Sequence, residues 1–255
     1  MTDPAHLVSL DGRIVLVTGA SSGLGARFAR VVHGAGAEVV VTARRGDRLR
    51  ELCAELGPRA HAFPCDIAEP EAREQLVAQV RAEIGPITVL VNNAGVAPTG
   101  PAEDEPVDAI RRVLEVNTVA PFHLSQLVAK QMFEHGGGSI VNITSMFGLV
   151  ASTPVQQASY CASKGALVNL TRELAAQWAR RGVRVNAIAP GWFPSEGTEE
   201  MWADERSLRY VERNTPMGRR GEDGELDGVL LLLAGAGGSF ITGQTVVVDG
   251  GWTAR

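Results

Sequence analysis

The chain has 255 residues, a formal net charge of −5, 45% hydrophobic and 21% charged residues. That length can bury a full core within one α/β domain, and the composition is globular rather than disordered or fibrous. The arginines are scattered, with no basic block, which argues against a nucleic-acid partner. The longest apolar run, 229–236, is too short to span a bilayer, so no membrane partner is expected. The three cysteines, Cys53, Cys65 and Cys161, show no CxxC spacing, and the five histidines show no metal-ligand spacing; neither a disulfide framework nor a metal site is expected. The first ten residues lack both a basic n-region and a sustained apolar stretch, and a cytoplasmic location is the expectation.

Along the chain, short apolar runs at 13–18, 38–42, 60–64, 88–91, 139–144, 184–189 and 245–248 alternate with longer amphipathic segments. Runs that are apolar throughout read as strands covered on both faces. Segment 71–83 places Leu76, Val77 and Val80 at helical spacing, continued by Ile84. Alternating strands and helices predict an α/β, Rossmann-type doubly wound parallel sheet of about seven strands, with residues 1–255 as one dinucleotide-binding and catalytic domain. Such a sheet binds ligands beyond the carboxyl ends of its strands, so residues that carry chemistry should follow strands.

The first strand runs into Thr18-Gly19-Ala20-Ser21-Ser22-Gly23-Leu24-Gly25 and then into a helix. Glycines allow a tight turn and close approach to a pyrophosphate, and the free N–H groups at a helix start favour an anion. Ser21 and Ser22 can add hydroxyl donors. Farther on, Tyr160 and Lys164 stand four apart on a predicted helix and therefore share a face. An ammonium beside a phenol favours the phenolate, which suits proton exchange with an alcohol or ketone oxygen.

The spacing of Gly19, Gly23 and Gly25 differs from G-x-G-x-x-G. It resembles the TGxxxGxG loop of the short-chain dehydrogenase/reductase family, in its 3-oxoacyl-carrier-protein-reductase-like branch. Further ordered matches cover almost the whole chain: Asp66, Asn92-Asn93-Ala94-Gly95, Asn117, Ser145, Tyr160-x-x-x-Lys164, Pro190-Gly191 and Asp249-Gly250-Gly251. The resemblance implies an oxidoreductase that interconverts a ketone and a secondary alcohol by hydride transfer. Tyr160 would be the general acid/base, with Ser145 holding the substrate oxygen and Lys164 binding the nicotinamide ribose. Asn117 would hold a water linking Lys164 to solvent. Two cations near the phenol would lower its pKa toward about 7.

In the family, the end of the second strand meets the adenine ribose. A carboxylate there would favour NAD(H); here Ala43 is followed by Arg44 and Arg45, whose guanidinium forks suit a phosphate. NADP(H) is therefore the expected cofactor, with Arg44 the first choice of ligand, Arg45 the second, and NAD(H) the alternative. The resemblance also implies cofactor contacts for Gly19, Ser21, Ser22, Gly23, Leu24 and Gly25. The same holds for Asp66 and Ile67, for Asn93, Ala94 and Gly95, and for Pro190, Gly191, Phe193 and Ser195. Asp66 would serve equally well as a helix N-cap or turn residue.

Segment 195–214, with Met201, Trp202 and Tyr210, reads as a substrate lid. Met146, Phe147, Val150, Val96 and Ala97 are expected to line the rest of an apolar pocket for a 3-oxoacyl thioester, a cyclic ketone or another hydrophobic carbonyl. A homotetramer is implied by resemblance, with a dimer as the alternative. A non-catalytic redox sensor would share the fold and the phosphate loop, but would not require Asn117, Ser145, Tyr160 and Lys164 together.

Overall fold

The apolar runs become strands of one sheet, because branched side chains on both faces let helices cover it from each side. In the computed structural model, which describes residues 4–194, 196 and 202–254, the strands are β1 Ile14–Thr18, β2 Glu38–Thr42, β3 Ala60–Ala62, β4 Val89–Asn92, β5 Gly138–Ile143, β6 Val183–Pro190 and β7 Thr245–Val248. Their order is β3-β2-β1-β4-β5-β6-β7. Every pairing is parallel. The third strand is shorter than expected. Pro64 has no N–H to give a ladder, so pairing continues only through single bonds, from Phe63 N–H to the Val41 carbonyl and from Cys65 N–H to the Ala43 carbonyl, each 3.0 Å.

The described helices are α1 Gly23–Gly34, α2 Gly46–Leu56, α3 Pro70–Glu83, α4 Val107–Leu114, α5 Ala120–Glu134, α6 Ala158–Trp178, α7 Glu205–Asn214 and α8 Asp227–Ala234. Side chains along each strand alternate between two cores. Val15, Val17, Val39, Val41, Val89 and Val91 face α1 and α8 through Phe28, Val32, Leu230 and Leu233. Leu16, Val40, Leu90 and Ile140 face α3, α5 and α6 through Val80, Leu124, Val128 and Leu174.

Between α4 and α5 the chain does not break. Glu115–Val119 forms a π-helical turn, closed by the Ala120 N–H on the Glu115 carbonyl. Wide turns of this kind concentrate at functional sites. Among the described residues, no helix is long and apolar enough to cross a membrane, and no group of three His, Cys, Asp or Glu side chains could hold a metal ion.

Candidate active site

Strand order reverses between β1 and β4, and the loops leaving those two strands are fastened together there. The Thr18 hydroxyl accepts the backbone N–H groups of Asn93 (3.0 Å) and Ala94 (3.1 Å). Asn93 Nδ2 returns a bond to the Thr18 carbonyl at 2.9 Å. Gly19 adopts φ +68, and a Cβ added there would stand 2.7 Å from Ala94 Cα. A Cβ at Gly25 would strike the Gly19 carbonyl. Ser22 is the N-cap of α1 but its side chain makes no capping bond. The first N–H groups of α1 thus face a tight, Cβ-free cradle, which suits a pyrophosphate.

A cleft follows the carboxyl ends of the strands in two lobes of about 460 and 430 Å3. They are continuous through Ser22, Asn93, Gly95, Val96 and Glu196, which line both. Gly19, Ser21, Arg44, Arg45, Asp66, Ile67 and Ala94 line the first lobe. Gly23, Leu24, Gly25, Ser145, Tyr160, Lys164, Pro190, Gly191 and Phe193 line the second. Ser195 lies outside the described residues. The length and lining of the cleft could hold a dinucleotide, and the sequence motifs dispersed over the whole chain meet on its walls.

At the first lobe the two arginines differ. Arg45 is engaged: Nη2 donates to the Ser21 hydroxyl (3.0 Å), the Ser22 hydroxyl (2.8 Å) and Glu196 Oε2 (2.8 Å). Arg44 is exposed on the cleft wall, and no described residue accepts a hydrogen bond from it. Asp66 is both a turn residue and a wall residue. Its Oδ1 accepts from Ala68 N–H at 3.0 Å and its Oδ2 lies 3.3 Å from Arg112 Nη2. Burial opposes the charge, but the Ala68 and Arg112 bonds hold this carboxyl below its ordinary range. Arg112 was not legible as a site residue; it sits on α4, where an exposed arginine looks like any solvated helix charge.

At the second lobe, Ser145 follows β5 in extended backbone and its Oγ accepts the Phe147 N–H at 3.1 Å. Tyr160 and Lys164 lie on α6, and the ammonium stands 5.7 Å from the centroid of the Tyr160 ring. Lys164 Nζ is buried and donates to the Ile143 carbonyl at 2.8 Å. Burial lowers its pKa to about 8. The expected lowering of the Tyr160 pKa is not produced by the chain alone. Burial pushes the phenol above its ordinary value, partly offset by a hydrogen bond with Ser145. The cost of burying the phenolate outweighs what the Ser145 hydroxyl returns.

Asn117 is fully buried in the π-helical turn. Its Oδ1 accepts Val96 N–H at 2.9 Å, and Nδ2 donates to the Val96 carbonyl (2.8 Å) and the Ser163 hydroxyl (3.0 Å). Both amide hydrogens are used within the protein, so a water at this residue would be held by donating to one of its carbonyl oxygens. The side chain fastens the loop after β4 to α6, beside Gly95, where an added Cβ would stand 3.3 Å from Asn117 Oδ1 and 3.5 Å from Lys164 Nζ.

The expected apolar pocket is corrected in part. Val96 and Ala97 do line the second lobe. Met146 and Phe147 are 1% and 6% exposed and pack with Trp192, Val211 and Trp252. Val150 and Tyr210 lie against that cluster. The rings interlock edge to face, Phe147–Trp192 at 5.4 Å and Trp192–Trp252 at 5.8 Å between centroids, as aromatic quadrupoles prefer. Their faces are used on one another.

The sheet order and the loop at its reversal define the doubly wound dinucleotide-binding class. A family model described as enoyl-(acyl carrier protein) reductase matches residues 19–253. The chain is 39% identical to galactitol 2-dehydrogenase (L-tagatose-forming) of Cereibacter sphaeroides over 96% of each chain. It is 37% identical to gluconate 5-dehydrogenase of Gluconobacter oxydans over 97% of each. Among solved structures, a gluconate 5-dehydrogenase from Burkholderia cenocepacia in complex with NADP and tartrate superposes with a TM-score of 0.94 at 34% identity, covering 99% of this chain and 100% of that one. The chain belongs to the short-chain dehydrogenase/reductase family, and it is an oxidoreductase of CH–OH and C=O groups.

Proposed function

We propose that this enzyme is an NADP(H)-dependent dehydrogenase of a secondary alcohol on a small polyhydroxylated molecule of the sugar-alcohol or sugar-acid class. The observation that carries the cofactor reading is the exposed Arg44 fork on the wall of the first lobe, with Ala43 where a carboxylate would exclude a 2′-phosphate. The neighbour that superposes at 0.94 binds NADP. The polyol reading is supported by relatives named for galactitol, gluconate and, at 36% identity, D-threitol. The aromatic cluster, spent on internal packing, offers little apolar surface to a 3-oxoacyl or cyclic ketone substrate. We read residues 1–255 as one domain and segment 195–214 as the lid, its described helix α7 resting through Val211 and Tyr210 on the aromatic cluster. Assembly as a homotetramer is part of the same reading.

When bound, the nicotinamide accepts or supplies the hydride. Lys164 would hold the ribose beside it, and Gly95 leaves room for that approach. Ser145 would donate to the substrate oxygen and fix it near Tyr160, the group that takes the alcohol proton or returns it to the ketone. Bringing a phenol from its ordinary value of about 10 to roughly 7 takes about 4 kcal/mol, and more from the raised value that burial sets here. The Ser145 hydrogen bond returns part of it, and the rest must come from ligand charge brought into the closed cleft.

The test is fluorescence titration with NADPH and NADH, followed by a panel of polyols, sugar acids, cyclic ketones and 3-oxoacyl thioesters. NADPH should bind more tightly, Arg44→Ala should remove that preference, and Tyr160→Phe should abolish turnover with NADPH binding retained. Preference for NADH would overturn the cofactor reading. Turnover confined to 3-oxoacyl or cyclic substrates would overturn the substrate class.

A further inference from the structure

Glu196 stands on the segment that follows β6 and lines both lobes. Its carboxylate reaches across to Arg45, with Oε2 2.8 Å from Nη2 and Oε1 3.4 Å from Nη1. The same Nη2 holds the hydroxyls of Ser21 and Ser22 at the start of α1. Ser22 also hydrogen-bonds Glu196, and Arg45 and Ser22 together keep the carboxylate ionised below its ordinary range. An anion thus rests on a guanidinium fork and a serine hydroxyl beside an uncapped helix start. That is the donor set a phosphate would seek. Arg44, one residue away, has no such occupant.

We propose that Glu196 is a cofactor-specificity residue: its carboxylate stands in for a phosphate on Arg45 and Ser22, and must be displaced when a 2′-phosphorylated dinucleotide binds. NADPH gains Arg45 only by breaking the Arg45–Glu196 pair and placing its own charge near a carboxylate. NADH brings no 2′-phosphate to this corner and leaves the pair intact. Glu196 therefore narrows the preference that Arg44 and Arg45 create. The pair is about half exposed, 47% and 43% for the two side chains, so its strength is that of a surface ion pair. Such pairs change affinity by at most about fivefold.

This inference rests on the NADP(H) reading, and the experiment separates the two. NADPH and NADH dissociation constants are measured by fluorescence titration for the wild type, Glu196→Gln and Arg44→Ala, in low and in high salt. Glu196→Gln is expected to tighten NADPH by about two- to fivefold with NADH unchanged, the gain shrinking in high salt. The Glu196 proposal is overturned if Glu196→Gln leaves both constants unchanged, shifts both equally, as a simple clasp over any dinucleotide would, or weakens NADPH. Those results leave the cofactor reading standing as long as Arg44→Ala weakens NADPH selectively. Loss of selectivity in the wild type, with no effect of Arg44→Ala, removes the cofactor reading itself.

Discussion

Lys164 Nζ donates to the carbonyl of Ile143 at 2.8 Å, and Ile143 precedes Ser145 by two residues on the same strand end. One hydrogen bond therefore sets the spacing between the helix that carries Tyr160 and Lys164 and the strand end that carries Ser145. The bond holds a buried ammonium whose charge burial disfavours, and this cost is visible in pH.

Below about pH 8, Lys164 is protonated in both folded and unfolded chains, and its desolvation penalty is constant. Between about 8 and 10.5 the unfolded chain keeps a proton that the folded chain has released, so this group makes stability rise with pH. Relative to Lys164→Met, which cannot titrate, the wild type should gain about 2–3 kcal/mol between pH 7 and pH 10. Urea midpoints of both proteins across that window measure it. A stability difference that stays flat with pH would mean that the ammonium is not desolvated.

Gly19 and Gly12 test the cradle against each other. Both have positive φ, +68 and +72, so alanine is strained at either. An added Cβ meets nothing within 4 Å at Gly12 but stands 2.7 Å from Ala94 Cα at Gly19. Gly12→Ala should cost about 1 kcal/mol from backbone strain alone. Gly19→Ala should cost more and also abolish dinucleotide binding, because the β1 and β4 loops must part. Calorimetric melting with and without NADPH reads both effects. Equal losses for the two variants would show that the loops are not in close contact.

Much of this arrangement was legible in the sequence because it is local. The strand runs come from branched residues with no polar interruption, and the Gly19–Gly25 spacing needs only the chain itself. Tyr160 and Lys164 share a face by helical period. What was not legible depends on residues distant in sequence. Arg112 and Glu196 reach the cleft from α4 and from the segment after β6, and neither has a local pattern that distinguishes it from a solvated charge. Met146 and Phe147 looked like pocket lining because they follow Ser145, but Trp192 and Trp252, far along the chain, cover them. The π-helical turn at Asn117 inserts one residue into an otherwise continuous helix, and periodicity over so short a stretch does not register it.

Asn117 is expected to act as a positioning residue rather than through a side-chain water. Asn117→Ala leaves the Val96 N–H and carbonyl without their partners, at a cost of about 1–3 kcal/mol. Asn117→Asp keeps the acceptor for Val96 N–H but sets a second oxygen against the Val96 carbonyl, so it should be at least as damaging. Turnover should fall more than NADPH affinity in both variants, and amide exchange at Val96 and Ala97 should accelerate. Normal exchange there, with turnover lost, would return the role to proton relay.

Arg73 joins the two loops that border the first lobe. It is 1% exposed, and its Nη1 donates to the Ile67 carbonyl (2.9 Å) and to Glu115 Oε1 (2.8 Å). Ile67 belongs to the loop after β3, and Glu115 opens the π-helical turn, so one guanidinium ties the wall of the first lobe to the turn that holds Asn117. Its Nε has no partner, which already costs stability that only the two bonds offset. Removing one member of a buried ion pair often costs about 3–5 kcal/mol. Glu115 is 32% exposed and can rehydrate, so Arg73→Met should cost less, about 1–3 kcal/mol. Glu115→Gln keeps an acceptor but leaves the buried guanidinium without a counter-charge, so it should also cost about 1–3 kcal/mol, and the double variant should be less destabilised than the sum of the singles by about 1 kcal/mol or more. Urea unfolding of the four proteins measures that coupling. Additivity within about 0.5 kcal/mol would mean that the ion pair does not link the two walls, and that Arg73 contributes only through its bond to Ile67 and its packed aliphatic stem.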